Sequence, residues 1–249
     1  MGFADLHLHT THSYDGTCSV AAVLKYVADY TDINVVAVTD HNSINGNEEA
    51  QRLAPDYGLQ VIPGCEISTS DGHLLALFIR KFIPPRLSLV ETLDRLGEQG
   101  GIAIAPHPGA RGTSALSFEV IRQALDDADL RSVLVGIEAY NGGLVYTDQN
   151  DYVEARAAQF PLAQCGNSDA HMLEMIGQGK TWFPGNSVTE LVKALRTGDT
   201  RVSKHRTLSN ARLLGSYFPR LMLRKMGWIT HHVASSPRLS YVREMSLSA

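Results

Sequence analysis

Phe3-Ala4-Asp5-Leu6-His7-Leu8-His9-Thr10 is an apolar run in which two histidines stand two residues apart. On a strand, side chains two apart point to the same side, so both imidazoles would face one centre. The stretch therefore reads as a β-strand over 3–8 that ends in two metal-competent groups. A lone strand-end histidine is more often a hydrogen-bonded structural residue than a ligand, so the question is whether the placement recurs.

It recurs along the chain. A predicted strand over 34–39 ends in Thr39-Asp40-His41, and one over 59–67 contains Gly64-Cys65-Glu66. His73 opens a strand over 73–78, and a strand over 102–105 runs into Pro106-His107-Pro108. After strands over 133–139 and 161–165 comes Asn167-Ser168-Asp169-Ala170-His171. Helical patterns lie between them, over 20–30 and 118–125. Ser88 with Glu91, and Ser187 with Glu190, have the spacing of capping boxes ahead of apolar faces. Alternating strands and helices predict a largely parallel α/β sheet, and about seven such units in roughly 200 residues predict a barrel. In such barrels functional groups collect at the C-terminal ends of the strands, where sequence-distant ligands can meet. Imidazoles and carboxylates suit Zn²⁺, Mn²⁺ and Fe²⁺ alike.

The chain has 249 residues and a formal net charge of −4, with three cysteines that show no paired spacing. That cysteine usage argues against a disulfide scaffold and for a reducing compartment, so a cytoplasmic location is expected. No apolar run approaches the roughly 18 residues of a membrane span, and no secretory signal is read at the N-terminus. Charge is uneven: residues 201–249 hold nine Lys or Arg against Glu244 alone, which leaves 13 basic and 25 acidic residues in 1–200. An acidic body suits a protein that concentrates cations, and a basic tail suits a phosphate-bearing ligand or an acidic partner. Simple solvation explains the tail equally well. The expected organisation is a metal-binding barrel domain over 1–200 and a basic helical extension over 201–249, with a break at Pro219.

The motifs Asp5-Leu6-His7-Leu8-His9-Thr10, Ser13-Tyr14-Asp15-Gly16, Thr39-Asp40-His41, Gly64-Cys65-Glu66, Ala105-Pro106-His107-Pro108 and Ser168-Asp169-Ala170-His171 resemble, in order, those of the polymerase and histidinol phosphatase (PHP) family. The resemblance implies a distorted (β/α)7 barrel holding two to three divalent ions (Mn, Zn or Fe) and hydrolysing phosphoesters. It implies His7, His9 and Asp169 at one metal, with Glu66 bridging to a second held by His73 and His107. A third would take Asp15, His41 and His171. Glu66, Asp169 and His171 are the expected catalytic residues, serving a metal-bridging hydroxide that attacks phosphorus. All nine positions hold residues able to ligate, which favours an enzyme over a degenerate scaffold.

Two features depart from the family's nucleotide-cleaving branch or tie the chain to it. Only 40 residues separate Glu66 from His107, so the substrate-covering insertion of that branch looks absent. The Ser-Tyr-Asp-Gly motif, in contrast, is similar to that branch, whereas histidinol phosphatases more often have histidine there. The expected substrate is a small phosphorylated metabolite or a nucleotide; nucleic acid stays open, and oligomeric state is not read. Arg111 is the first candidate for phosphate, as guanidinium binds it bidentately; Lys180 and Asn141 are weaker ones. Glu138, at another strand end, reads first as a strand cap and otherwise as a pocket liner, and His12 as a surface residue or a pocket liner. Arg206 and Arg212 either close over a substrate or pack on the barrel. Two other readings remain: a carboxylic or carbamate ester hydrolase, and a non-catalytic metal-stabilised module whose tail docks on a partner.

Overall fold

Apolar runs such as Val35–Val38 and Ile102–Ala105 become strands buried along their whole length, the pattern of a sheet covered on both faces. The computed structural model describes residues 1–111, 115–143, 149–205 and 209–228. Strands β1 (Gly2–Leu8), β2 (Val35–Val38) and β3 (Gln60–Ser68) pair in parallel. Strand β4 (His73–Leu77) runs antiparallel to β3 and to β5 (Ile102–Ala105). Strands β6 (Leu134–Asn141) and β7 (Ala163–Asn167) continue in parallel from β5.

The reversal of β4 has a local cause. Only 69–72 connect β3 to β4, and a parallel crossover needs about a dozen residues. An antiparallel β4 starts where its neighbours end, so His73, its first residue, comes to the same rim as the other histidines.

Two strands were not read from the sequence. Strand β8 (Gly179–Phe183) pairs antiparallel with β1, and β9 (Arg201–Lys204) pairs antiparallel with β8, giving the order β7-β6-β5-β4-β3-β2-β1-β8-β9. Side-chain and backbone hydrogen bonds then bring the two flanks together. Leu6 N–H donates to Asn167 Oδ1 at 3.0 Å, Ser168 N–H to Asp5 Oδ1 at 3.1 Å, and His9 N–H to the Ala170 carbonyl at 2.8 Å. Thr181 Oγ donates to the Gly166 carbonyl and accepts from its N–H. Gly179 packs so closely here that a Cβ would lie 2.4 Å from the Asn167 carbonyl oxygen. The result is an α/β fold, a distorted and nearly closed barrel.

Helices α1 (Val20–Tyr30), α2 (Asn47–Leu53), α3 (Leu89–Gly97), α4 (Phe118–Asp126), α5 (Ala128–Val133), α6 (Asn150–Ala157), α7 (Val188–Thr197) and α8 (Asn210–Lys225) surround the strands. Both capping boxes form: the Ser88 and Ser187 side chains accept from the N–H of Glu91 and Glu190, whose carboxylates reach back. Val133 ends α5 and does not open a strand, and β6 instead runs on to Asn141. The expected break at Pro219 does not occur. Helix α8 passes through it because contacts on both sides, from Leu213 and Tyr217 before and Arg220 and Arg224 after, hold its two halves to the barrel. Arg206, His231 and His232 lie outside the described residues. No helix among the described residues is long and apolar enough to cross a membrane.

Candidate metal centre

The strand ends deliver their side chains to one point, and Glu66 on β3 occupies it. Its Oε1 lies 2.8 Å from His73 Nδ1 and 3.2 Å from His107 Nε2. Its Oε2 lies 3.3 Å from His7 Nε2, 3.3 Å from His9 Nε2 and 3.1 Å from His41 Nδ1. Asp169 Oδ1 approaches His7 Nε2 at 3.3 Å and His9 Nε2 at 3.2 Å. Asp15 Oδ2 stands 3.2 Å from His171 Nε2 and 3.6 Å from His41 Nε2.

Proximity alone does not make these contacts hydrogen bonds. His7 Nε2, His9 Nε2, His41 Nδ1, Glu66 Oε2 and His73 Nδ1 are buried and none has a hydrogen-bond partner. Leaving a buried polar atom unsatisfied costs about 1–3 kcal/mol, so five converging on one volume need something else to bind. Their ligand atoms group as His7, His9 and Glu66; His7, His107 and Asp169; His41, Glu66 and His73; and His9, Asp15, His41 and His171, each set within 4.8 Å. Nitrogen and carboxylate oxygen at such separations are the donors a divalent cation takes.

Local structure fixes these side chains. His107 (φ 30°) and Asp169 (φ 50°) both sit in left-handed backbone, which for such residues costs on the order of 1–3 kcal/mol and is typical of functional sites. In the Ser13-Tyr14-Asp15-Gly16 loop, Ser13 Oγ donates to Asp15 Oδ1 at 2.8 Å, leaving Oδ2 for the imidazoles. A Cβ on Gly16 would lie 1.9 Å from the Thr10 carbonyl oxygen. Asp40, buried, accepts from Thr10 N–H at 2.6 Å and Thr10 Oγ at 2.7 Å, tying this loop to β2.

The charges are strongly coupled. Burial opposes ionisation of Glu66 and Asp169, but the surrounding imidazoles overcome it and hold both carboxyls well below their usual range. Burial also opposes protonation of His171; the Asp15 hydrogen bond and the charge of Asp169 reverse that and push it up to about 9. His41 is pushed down to about 4, mainly by burial.

A family model for the PHP domain matches residues 5–141, and one described as PHP-associated matches 147–200. The chain belongs to the PHP family. An uncharacterized protein of Methanocaldococcus jannaschii is 38% identical over 148 residues, 55% of this chain and 81% of that protein. A 5′-3′ exoribonuclease of Haemophilus influenzae is 28% identical over 200 residues, 78% of this chain and 63% of that protein. The fold is shared with a two-domain protein of Bacteroides vulgatus containing a predicted PHP-like metal-dependent phosphoesterase. That match has a TM-score of 0.64 at 19% identity and covers 88% of this chain and 69% of the other. Between Glu66 and His107 this PHP chain has only the rest of β3, β4, α3 and β5 with their connections, the short form of the family.

The structure brings all nine expected PHP ligands together, but not all the expected substrate residues. Lys180 is a correction: its ammonium pairs with Asp32 and lies 4.1 Å from the Phe3 ring centre, because alternation along β8 turns it outward. Asn141 is at the cluster, yet its amide nitrogen donates to Glu138 Oε2 at 2.8 Å and Asp169 Oδ2 at 3.1 Å, and its oxygen accepts from Gly143 N–H. Its amide therefore orients carboxylates. Arg111 is exposed on the loop after His107.

Glu138 is more than a strand cap. Wholly buried, it meets His7 Nδ1 at 3.1 Å and accepts from His107 N–H at 2.7 Å, Asn141 and Asn167. Its signal in the sequence was a carboxylate within an otherwise apolar strand, which demands buried partners.

Proposed function

We propose that the chain is a metal-dependent phosphoesterase acting on a small phosphorylated metabolite or nucleotide, with two to three divalent cations held by His7, His9, Asp15, His41, Glu66, His73, His107, Asp169 and His171. The observation that supports this most directly is the four buried imidazole nitrogens around Glu66 that, together with its own Oε2, have no hydrogen-bond partner. Membership of the PHP family supports it further, and the exoribonuclease relative keeps nucleotides and short RNA among the substrates.

Bound cations would activate water near neutral pH and offset charge developing on a phosphoryl group. The protein's part is to hold the donors rigid. Glu66 turns one oxygen to His73 and His107 and the other to His7, His9 and His41, which suits a carboxylate shared between cations. Asp15, His41 and His171 form a second corner suited to the leaving-group side. Asp169 and His171 would relay a proton, directly or through water, and Arg111, exposed on the loop after His107, would meet a substrate phosphate.

The test is phosphate release from Mn²⁺-loaded protein across mononucleotides, nucleoside bisphosphates, short oligonucleotides, histidinol phosphate and an aryl phosphate. The control is His9→Ala with Asp169→Asn. Turnover absent from the control is expected. No turnover above it, with metal bound, would sink the proposal; hydrolysis of an uncharged aryl ester alone would select an ester hydrolase.

A further inference from the structure

Helix α8 touches the metal centre from outside, and its contacts select two loops. Leu213, Tyr217, Arg220 and Arg224 lie on one helical face by their spacing. Leu213 is buried in the apolar cluster beside α1, and Tyr217 packs against the same cluster. Arg224 donates from Nη2 to the carbonyls of Thr11, at 2.9 Å, and Ser13, and from Nε to that of Tyr14 at 3.2 Å. Tyr217 donates its hydroxyl to the Asp15 carbonyl at 3.1 Å. All four acceptors belong to the loop that presents Asp15.

The same face also grips the other loop. Arg220 makes a two-pronged pair with Glu174, at 2.7 and 2.8 Å, three residues beyond His171. The Tyr217 ring meets the His171 ring edge-on, with centres 5.9 Å apart. Asp15 and His171 come from opposite ends of the barrel sequence, and their side chains meet at 3.2 Å. Helix α8 spans both loops.

We infer that Arg224 and Tyr217 are positioning residues for the cation site formed by Asp15, His41 and His171. In this role α8 sets the affinity of that site and leaves the sites around Glu66 unchanged. The inference rests on the metal-dependent reading above. Carbonyls crowded on one loop repel one another, and one guanidinium with several donors in a fixed fork satisfies three at once; a lysine ammonium has no such fork. Outer partners of this kind typically change metal affinity by about 10–100-fold.

The experiment titrates metal-free full-length chain with Mn²⁺, reading bound metal per chain and each site's Kd, alongside thermal unfolding of the metal-free form. Variants are Arg224→Ala, Arg224→Lys, Tyr217→Phe and, as control, Lys225→Ala on the exposed last turn. Arg224→Ala is expected to weaken one cation by about 10–100-fold and leave the others at wild-type affinity. Tyr217→Phe, which removes only a hydroxyl, should weaken the same cation less and keeps the test open if Arg224→Ala does not fold. Arg224→Lys should not restore the site, and Lys225→Ala should match wild type. Wild-type affinity at every site in both Arg224→Ala and Tyr217→Phe, or equal weakening of all sites, would overturn the inference. A wild-type chain that takes up no cation would instead defeat the metal reading, and the inference with it.

Discussion

Glu138 Oε1 lies 3.1 Å from His7 Nδ1, and both side chains are wholly buried. A carboxylate oxygen accepts, so Nδ1 turns its proton to Glu138, and Nε2, 3.3 Å from Glu66 Oε2 and Asp169 Oδ1, is the nitrogen left to meet a cation between them. One carboxylate thus orients the first of the expected ligands in the chain, as a buried partner does when it tunes a metal site.

Glu138→Gln should therefore lower metal affinity by about 10–100-fold with little loss of fold, since the amide can still meet some of its partners. Glu138→Ala leaves the His107 N–H and the Asn167 amide without their acceptor, takes one of two acceptors from Asn141, and should destabilise by about 3 kcal/mol or more. Metal titration and denaturant unfolding read the two effects. Wild-type metal affinity in Glu138→Gln would contradict this account of His7.

Removing metal should lower the melting temperature. A cation at 100 times its Kd stabilises by about 2.7 kcal/mol, which for a chain of this size is roughly 5–10 °C. Thermal unfolding with and without a chelator checks this. Identical melting curves would mean that the histidine cluster holds no cation.

Gly16→Ala forces a Cβ onto the Thr10 carbonyl oxygen, a backbone atom that cannot swing away. The loop must shift, at a cost of about 1–3 kcal/mol, and Asp15 shifts with it. Loss of one bound cation per chain, with the fold retained, is the expected reading from metal analysis and circular dichroism. Full metal content would show that the loop accommodates the methyl.

Burial, and then the charge of Glu138, push the Cys165 thiol from 9.0 up to about 12. The folded thiol keeps its proton where the unfolded one has lost it, so stability falls as pH rises from about 9 towards 12, by up to about 1.4 kcal/mol per pH unit. Denaturant midpoints measured across that range should decline less steeply for Cys165→Ala. The native protein should also resist thiol alkylation, because Cys18, Cys65 and Cys165 are all buried. Rapid labelling of native protein would contradict that burial.

Strand ends and capping boxes were legible because their signals are local. His7 and His9 two apart, or Ser88 three before Glu91, imply their geometry through backbone periodicity alone. The direction of β4 was not read, although the four residues from Thr69 to Gly72 are too few for a parallel crossover. Helix α6 was not legible: around Asn150–Ala157 no apolar stripe stands out, and its position depends on Asn150, whose amide and oxygen hydrogen-bond the Asn141 backbone. Strand β8 gains stability from pairing with β1 and β9 from pairing with β8, which no local pattern encodes.

By itself the sequence determined the residue types and the rim of the sheet they would reach, since both follow from alternation along strands and from the βα repeat. Which side chains meet was decided by tertiary structure. Lys180 pairs with Asp32 outside the barrel, Asn141 with Glu138 inside it, and Arg224 with a loop more than 200 residues earlier in the chain. Those pairings depend on how the nearly closed barrel brings its two flanks together and where α8 then packs. Contacts between distant segments are set by packing and by the need to satisfy buried charge, and neither is a property of any one segment.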